Sequence, residues 1–436
     1  MSSASRRDAL RRLAAAALVP AMPHLTPASR RVTAPSPRGP VLRRGAAPHV
    51  VVVGAGAFGG WTALSLLRRG ARVTLLDAWG AGHSRASSGD ESRVIRAMYN
   101  GDVTYTTMVQ RSLDAWREAN ARWQRTIFHR IGTLYLFSVD DAFARASLPI
   151  MRERGLDVET LAADELRRRF PQVRPDGIRT AYFEPDSGYL LAREGCERVR
   201  EECVALGADW RIAAAAPGKA ARGRLERLPL ADGTALDADA FVFACGPWLG
   251  RLFPDAVGDG ITPTRQETLY FGLPAGDTLH DDGRCPVWLD IGARRLYGIP
   301  GNERRGFKVA DDTTGPTVAD PTTLDRLVSP GTLRIARALL RRRFPALAKA
   351  PVAETRVCQY EFAPGGDFLL DRHPGLENVW LAGGGSGHGY KMGPAVGELV
   401  AGLVLDGAAT PEKFSHARFV AGREQARKAG GRREHN

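Results

Sequence analysis

The sequence predicts an α/β protein in which a Rossmann-type nucleotide-binding domain carries an inserted α+β domain built on a mostly antiparallel sheet. Three observations predict this fold. A glycine-rich turn follows a short β-branched run near residue 50, further short apolar runs ending in glycine come later, and strand-like segments of another kind lie between them. With 436 residues the chain exceeds the roughly 250–300 residues of a single core, so at least two domains are expected.

The first predicted strand is the run of four valines at residues 50–53, a pattern typical of a strand buried on both faces. It ends at a glycine, and a helix is predicted from about residue 56 to residue 69. A second short strand at residues 72–76 ends at Asp77. A strand, a glycine turn, a helix and a strand within about thirty residues form a βαβ unit.

The turn of this unit matches the G-x-G-x-x-G pattern of dinucleotide-binding proteins, in which the glycines allow a tight turn and a close approach to a pyrophosphate at the helix N-terminus. Its predicted cofactor-binding residues are Gly54, Gly56, Ala57, Phe58 and Gly59. Asp77 follows Gly54 by 23 residues, where an acidic side chain accepts hydrogen bonds from ribose hydroxyls and disfavours the extra phosphate of NADP. The unit by itself does not distinguish FAD from NAD.

Two later apolar runs, at residues 241–244 and 379–382, are predicted as further strands of the same sheet because each ends in glycine. Between them, residues 294–300 and 306–310 indicate strands of a separate, more antiparallel region, and residues 332–342 have helical periodicity.

The second domain is therefore predicted to be inserted into the first. The nucleotide-binding domain takes residues 48–128, 189–258 and 358–425, and the inserted domain takes residues 129–188 and 259–357. Residues 1–47 are predicted as a leader and linker, and residues 426–436 as a tail.

The N-terminal segment has the outline of a twin-arginine export signal, with Arg6 and Arg7 ahead of an apolar stretch at residues 13–19. That stretch is shorter than the roughly 18 residues needed to span a bilayer, and stable membrane insertion is not expected. We expect export to the periplasm or the exterior. The alternative is a basic tail with a chance arginine pair, which would leave the protein in the cytoplasm.

The net charge of +13 does not indicate nucleic-acid binding, because residues 1–47 hold nine arginines and one aspartate and so account for +8, leaving +5. The remaining basic clusters, at residues 341–343 and at Arg432 and Arg433, are short, lack interleaved aromatic residues and are expected on solvated surfaces. Five cysteines are an odd number, so at least one is outside any internal disulfide, and a disulfide framework is not indicated.

Three motifs point to a known family. They are Gly89-Asp90-Glu91-Ser92-Arg93-Val94-Ile95-Arg96, Cys358, and Ser386-Gly387-His388-Gly389-Tyr390-Lys391. On these motifs the chain resembles the D-amino-acid-oxidase superfamily of FAD-dependent oxidoreductases, closest to monomeric sarcosine oxidase and N-methyltryptophan oxidase. The likeness runs from about residue 50 to about residue 405 and implies a Rossmann-type FAD-binding domain with an inserted substrate domain. It also favours a monomer.

The resemblance implies four catalytic residues. Arg96 and Lys391 would grip a substrate carboxylate, because a guanidinium and an ammonium together offset its desolvation. Lys308 would lie over the flavin and promote its reaction with oxygen. Tyr297 would be an active-site tyrosine. The alternatives are a surface ion pair for Arg96, a solvated loop residue for Lys391 and a core aromatic for Tyr297.

The resemblance also implies that Cys358 is bonded covalently to the 8α-methyl group of the flavin, although a buried inert cysteine is the usual alternative. The further residues expected to contact FAD are Ser88, Arg93, Cys245, Gly246, Trp248, Gly385, Gly387, His388, Gly389, Tyr390 and Lys391. No metal-ligand spacing accompanies His388, and no metal is expected.

Two positions depart from the sarcosine oxidases, which carry histidines where this chain has Ser88 and Asp312. One extra residue also stands between Gly89 and Arg93. The substrate pocket is therefore expected to differ.

The implied activity is the oxidation of an amine or amino acid, favouring a secondary or N-methyl amino acid. Hydride would pass to the flavin, water would hydrolyse the imine, and oxygen would be reduced to hydrogen peroxide. The alternatives are a dehydrogenase with a quinone or protein acceptor, a tailoring oxidase for a bulkier cyclic or aromatic amine, a flavin-binding protein without turnover, and a NAD-linked dehydrogenase.

Overall fold

The computed structural model describes residues 47–431, and one half of this region is built on a six-stranded sheet. In spatial order its strands are Leu369–Arg372, Val379–Gly383, Ala240–Phe243, His49–Val53, Arg72–Asp77 and Asp209–Ile212. All neighbours pair in parallel except the antiparallel edge strand Leu369–Arg372. The predicted export signal, the linker before Ala47, and Arg432 and Arg433 lie outside the described residues.

The four strands that the sequence predicted for this sheet all belong to it, so this part of the prediction is confirmed. The valine run forms its centre because both faces of the sheet are covered. Val50 and Val52 enter one apolar core, while Val51 and Val53 enter the core on the other face. This arrangement explains why the run is β-branched throughout rather than alternating with polar residues.

The helix Ala57–Arg68 follows the glycine turn and packs against the apolar helix Gly393–Leu405. The two backbones approach so closely that a Cβ at Gly397 would lie 2.4 Å from the Trp61 carbonyl oxygen. The α-helices are Ala57–Arg68, Val103–Trp123, Ala142–Glu153, Ala163–Arg169, Ala192–Ala205, Leu249–Leu252, Pro330–Arg343, Gly393–Leu405 and His416–Gly431. Short 3-10 helices are Gly246–Trp248, Gly258–Gly260, Pro345–Leu347, Pro364–Gly366, Tyr390–Met392 and Glu412–Phe414.

The other half is an eight-stranded sheet, as the inserted α+β domain of the prediction required. In spatial order its strands are Val352–Phe362, Thr262–Phe271, Phe307–Asp311, Arg295–Ile299, Val287–Ile291, Thr133–Phe137, Thr180–Glu184 and Glu159–Leu161. Neighbours are antiparallel except the parallel pair Val287–Ile291 and Thr133–Phe137. The predicted fold class, including the mostly antiparallel second sheet, is confirmed.

The helix Pro330–Arg343 covers this sheet and corrects one expectation. Arg343 does not lie on a solvated surface: its side chain is 1% exposed and its Nε lies 3.1 Å from Asp290 Oδ2. Arg342 contributes a second guanidinium to the same buried carboxylate at 2.5 Å. Two arginines of the run therefore bind a buried acid, since an acid in the core needs several donors to offset its desolvation, while Arg341 and Arg342 remain exposed as expected.

A three-stranded sheet joins the two halves, in the order Ser92–Ile95, Gly188–Leu191 and Phe128–His129. Two small ribbons pair Ala220–Ala221 with Arg224–Leu225 and Leu228–Pro229 with Ala235–Leu236. Within residues 47–431, none of the helices combines the length and apolar composition that crossing a membrane requires.

Candidate active site

The glycine turn after the first strand forms a cradle at the N-terminus of the helix Ala57–Arg68. Gly54 has a φ of +104°, and a Cβ there would lie 2.4 Å from the Ala244 carbonyl oxygen. A Cβ at Gly59 would lie 1.8 Å from the Gly54 carbonyl oxygen. At Gly56 the only atom near an added Cβ is Ser88 Oγ, at 3.5 Å, so this position faces open space. The cradle thus has the close packing and the opening that a pyrophosphate requires.

Asp77 is fixed at the end of the second strand by backbone donors. Its Oδ2 accepts a hydrogen bond from the Ala55 N–H at 2.9 Å, and its Oδ1 accepts from the Trp79 and Gly80 N–H groups at 2.9 and 3.0 Å. The ring of Trp248 lies 5.1 Å from that of Trp79 in the same corner. The predicted residues Asp77 and Trp248 therefore lie on the same side of the cradle.

Two more glycine turns open at the same edge of the sheet, because parallel strands end there together. Cys245 and Gly246 follow the strand Ala240–Phe243, and Gly385 follows Val379–Gly383. Glu361 lies between them: its Oε1 accepts from the Gly385 N–H at 3.2 Å, and a Cβ at Gly246 would lie 2.6 Å from its Oε2.

Burial raises the pKa of Glu361 to about 7. The hydroxyl of Ser87 also donates to its Oε2, at 3.3 Å. The three glycine turns, the fixed acid Asp77 and the helix N-terminus fit a dinucleotide cofactor laid along this edge.

Beyond the glycine turns lies a set of residues that contact one another, which we call the paired cluster: the charged residues Asp90, Arg93 and Lys308, together with Cys358. Lys308 Nζ lies 2.6 Å from Asp90 Oδ2 and also donates to the Ser92 carbonyl oxygen at 2.8 Å. Arg93 Nη1 donates to Asp90 Oδ2 at 2.7 Å, and its Nη2 lies 3.0 Å from Cys358 Sγ.

The Asp90 carboxylate is the centre of the paired cluster and also accepts from the Tyr270 hydroxyl at 2.7 Å. Burial alone would raise its pKa, but Lys308 and Arg93 hold the pKa well below its usual range. Burial lowers the pKa of Lys308, which Asp90 opposes. Tyr297 lies beside this group, with its ring centroid 5.7 Å from Lys308 Nζ, and it is only partly buried.

A second set of charges faces the first, and we call it the open cluster: Arg96, Lys391 and Asp312. Arg96 and Lys391 approach one aromatic ring, with the guanidinium carbon 5.2 Å and Nζ 5.4 Å from the Tyr99 centroid. Burial, followed by repulsion from Arg96, lowers the pKa of Lys391 well below its usual value. Among residues 47–431, neither cation forms an ion pair with a carboxylate, in contrast to the paired cluster.

The loop at residues 385–389, which begins at the third glycine turn, contacts the open cluster. Lys391 Nζ donates to the His388 carbonyl oxygen at 2.8 Å. His388 Nε2 lies 3.0 Å from the Gly366 carbonyl oxygen, and its Nδ1 lies 3.2 Å from the Tyr99 hydroxyl. Burial and then Lys391 lower the pKa of His388 to about 3, so the ring is neutral, donating through Nε2 and accepting at Nδ1.

Not every predicted residue directs its side chain to this region. The Tyr390 hydroxyl donates to the Ala192 carbonyl oxygen at 2.7 Å, and its ring stacks on Trp116 in the core. The Phe58 ring packs on Phe368 at 5.2 Å. Ser88 does reach the cradle, accepting a hydrogen bond from the Ala57 N–H at 3.2 Å.

Several residues of the site were not named as site residues from the sequence: Asp90, Tyr99, Tyr270, Tyr360 and Glu361, while Asp312 was noted only as a departure from the sarcosine oxidases. Asp90 stands within the motif that carries Arg93. Tyr360 is two residues beyond Cys358 on the strand Val352–Phe362, so the alternation of a strand places both side chains on one face. That strand runs through residue 358, where the sequence analysis placed a domain boundary. No sequence pattern indicated Tyr99 or Glu361.

Comparison with known proteins agrees with this geometry. Residues 49–403 match the family described as FAD dependent oxidoreductase. The chain is 28% identical over 362 residues to monomeric sarcosine oxidase of Bacillus sp. (strain B-0618), covering 82% of this chain and 92% of that protein. It is 26% identical over 375 residues to N-methyl-L-tryptophan oxidase of Salmonella arizonae, covering 82% and 94%.

The fold is similar to the crystal structure of L-proline dehydrogenase from P. horikoshii, with a TM-score of 0.75 and 20% identity over 86% of this chain and 98% of that one. The family match covers both halves of the molecule and decides for FAD over NAD. It also supports an enzyme rather than a protein that only binds a flavin. The chain belongs to the family of FAD-dependent oxidoreductases and is a sarcosine-oxidase-like enzyme.

Proposed function

We propose that the protein oxidises the carbon–nitrogen bond of an amine or amino acid, favouring a secondary or N-methyl amino acid, with oxygen as electron acceptor. The imine product is hydrolysed by water, and hydrogen peroxide is formed. The relatives named for sarcosine and N-methyl-L-tryptophan support this substrate class.

The observation that carries the proposal is the open cluster. Arg96 and Lys391 converge on Tyr99 without a carboxylate paired to either among the described residues. Two adjacent desolvated cations repel each other, and Arg96 contributes to the low pKa of Lys391. A substrate carboxylate placed between them offsets this repulsion, favours the charged form of Lys391 and offers acceptors to the planar guanidinium.

When bound, FAD would supply the acceptor for a hydride, which carries the two electrons of the oxidation. Gly54, Gly56 and Asp77 would hold its adenosine diphosphate end, and Gly387 and Cys358 would lie at its flavin end. The protein contributes orientation of the substrate through its carboxylate and exclusion of water around the reacting carbon.

We further propose that the flavin is attached covalently to Cys358. The support is the Arg93 guanidinium, whose Nη2 lies 3.0 Å from Cys358 Sγ. An electropositive neighbour is the setting in which a protein cysteine acts as a nucleophile. Cys245 lies at a glycine turn of the same site, but its Sγ faces the Val53 carbonyl oxygen at 3.5 Å, and burial raises its pKa.

The test is acid precipitation of the purified protein, with visible spectra of pellet and supernatant, in wild type, Cys358→Ala and the matched control Cys245→Ala. We expect yellow pellets for wild type and Cys245→Ala and a yellow supernatant for Cys358→Ala. Peroxide release is then measured with N-methyl and cyclic amino acids. Colour wholly in the wild-type supernatant would refute the covalent bond, and no peroxide or flavin reduction with any amine would refute the proposed reaction.

A second candidate is a dehydrogenase that uses an acceptor other than oxygen. The observation that favours it is the ion pair between Lys308 and Asp90, at 2.6 Å, which offsets the positive charge that would assist oxygen reduction. Turnover with air alone and with an added dye acceptor distinguishes the two. A rate in air within about twofold of the dye-supported rate supports the oxidase.

We propose that the protein acts outside the cytoplasm, because Arg6 and Arg7 precede an apolar stretch as in a twin-arginine export signal. Residues 1–47 fused to a reporter that must be exported while folded provide the test. Export that is lost on replacing both arginines with lysine supports the proposal, and retention of the reporter in the cytoplasm refutes it.

A further inference from the structure

Asp312 is the member of the open cluster whose role the proposed function leaves unexplained. It follows the strand Phe307–Asp311, and its backbone N–H donates to the Arg295 carbonyl oxygen at 2.8 Å, which fixes the turn. Its Oδ1 lies 3.4 Å from the Tyr360 hydroxyl, a long contact at the limit of a hydrogen bond. Tyr360 in turn packs against Gly387, so the carboxylate stands beside the glycine loop.

The other acids near the site are satisfied by the protein. Glu184 accepts hydrogen bonds from the Ala97 N–H at 2.6 Å and the Tyr135 hydroxyl at 2.8 Å. Asp90 is paired with Lys308 and Arg93. An ionised carboxylate has about four acceptor positions, and Asp312 fills only one of them, weakly. Asp312 is only partly buried, so its free acceptor positions are open to a ligand that brings donors to them.

The charges around Asp312 are complementary to those of a zwitterion: the cations suit its anionic group, and the Asp312 carboxylate suits its cationic group. Burial raises the pKa of Asp312, while the positive charges of Arg295, Arg96 and Lys391 oppose that rise. Within the described part of the chain, Asp312 forms no ion pair, and the same holds for Arg96 and Lys391. A ligand that carries an anion and a cation a few bonds apart would complete all three groups at once.

We propose that Asp312 binds the ammonium group of the substrate, so that the enzyme selects zwitterionic amino acids over both simple carboxylic acids and simple amines. This inference rests on the proposed function and specifies its substrate class. A primary or secondary ammonium carries N–H donors for the carboxylate, whereas a trimethylated nitrogen carries none. Betaine-type ligands are therefore excluded from high-affinity binding.

The experiment compares two ligands of nearly equal shape that cannot be oxidised, since neither has a hydrogen on a carbon bonded to nitrogen. The zwitterion is 2-amino-2-methylpropanoate, and its carbon counterpart is 2,2-dimethylpropanoate, in which a methyl group replaces the ammonium. Dissociation constants are taken from changes in flavin absorbance on titration of the holoenzyme. The variants are Asp312→Asn and Asp312→Ser. The matched control is Asp311→Asn, whose carboxylate instead pairs with Arg294 at 2.6 Å.

Wild type and Asp311→Asn should bind the zwitterion more tightly than the carbon counterpart. In Asp312→Asn this preference should fall by about tenfold to a hundredfold, the range of a charge-assisted hydrogen bond, while the carbon counterpart binds as well or better. If Asp312→Asn does not fold, Asp312→Ser should show the same loss. Asp312→Glu, which keeps the charge, should retain a preference for the zwitterion.

A preference within twofold of wild type in the folded Asp312 variants would overturn the inference while leaving the proposed function intact. That outcome differs from failure of the proposed function itself, in which wild type binds neither ligand and no amine reduces the flavin. Loss of both ligands in Arg96→Met, with the Asp312 variants affecting only the zwitterion, would support both statements together.

Discussion

The paired cluster and the open cluster both contain an aspartate, an arginine and a lysine and lie in one site. They differ in whether the protein itself supplies oppositely charged partners for those residues. In the paired cluster the Asp90 carboxylate accepts hydrogen bonds from Lys308, Arg93 and the Tyr270 hydroxyl. In the open cluster, as far as residues 47–431 show, Arg96 and Lys391 contact carbonyl oxygens and the aromatic rings of Tyr99 and Phe143 but no carboxylate. A buried charge satisfied by the protein supports structure, whereas one left unsatisfied by the protein is prepared for a ligand.

The largest effect on stability should come from breaking the paired cluster. Asp90→Ala removes the shared carboxylate and leaves the buried cations Lys308 and Arg93 facing each other. Removing one partner of a buried ion pair typically destabilises a protein by about 3–5 kcal/mol. Urea unfolding followed by circular dichroism should show this loss, and Arg96→Met should lose far less. Equal losses in both variants would show that the two clusters do not differ as described.

The complementary change in the open cluster should affect turnover rather than folding. Arg96→Met removes the planar donor for the substrate carboxylate, and kcat/KM should fall by about a thousandfold, or about 4 kcal/mol. The midpoint of thermal unfolding should shift little, because Arg96 has no ion pair to lose among the described residues. Anaerobic flavin reduction at varied substrate concentration provides the measurement. A wild-type rate in this variant would contradict carboxylate recognition by Arg96.

Glu361 extends the comparison to a buried acid: within the described residues no cation lies beside it, unlike Asp90 in the paired cluster. Burial raises its folded-state pKa to about 7 from the usual 4.5, so in this range the folded chain keeps a proton that the unfolded chain has released. Stability of the apoprotein should therefore fall as pH rises from about 4.5 to about 7 and level off above, by about 3 kcal/mol in total. Glu361→Gln should remove this part of the pH dependence.

The measurement is the difference in unfolding free energy between wild-type and Glu361→Gln apoproteins across that pH range. Other titrating groups contribute equally to both proteins, so the difference isolates Glu361. A difference that does not change with pH, or that changes with the opposite sign, would show that Glu361 is ionised in the folded protein at neutral pH.

The smallest expected effect tests the contact between Tyr360 and the open cluster. Tyr360→Phe removes the hydroxyl 3.4 Å from Asp312 Oδ1 and leaves the ring that packs on Gly387. Because this contact is long, we expect a change of about 1 kcal/mol or less, or at most about fivefold in substrate affinity. A loss of a hundredfold would assign Tyr360 a direct contact with the substrate.

Much of this site could be predicted because its residues stand in local patterns. The glycine turn and Asp77 follow from strand, turn and helix periodicity, and the motif that ends in Arg96 contains Arg93 as well. The pairing of Lys308 with Asp90 could not be predicted, since the two residues are 218 positions apart and meet only when two sheets pack. The same limit explains Arg343, which the sequence analysis placed on a solvated surface and which is buried against Asp290.

The sequence by itself determined the fold class, the dinucleotide cradle and the resemblance to FAD-dependent oxidoreductases, because each depends on residues adjacent in the chain or fixed by one element's period. Only the tertiary structure decided which charges are paired and which remain open. That distinction depends on distances of a few ångströms between side chains from separate sheets and loops. Coulomb energy and desolvation vary steeply over such distances, and no spacing along the chain encodes them.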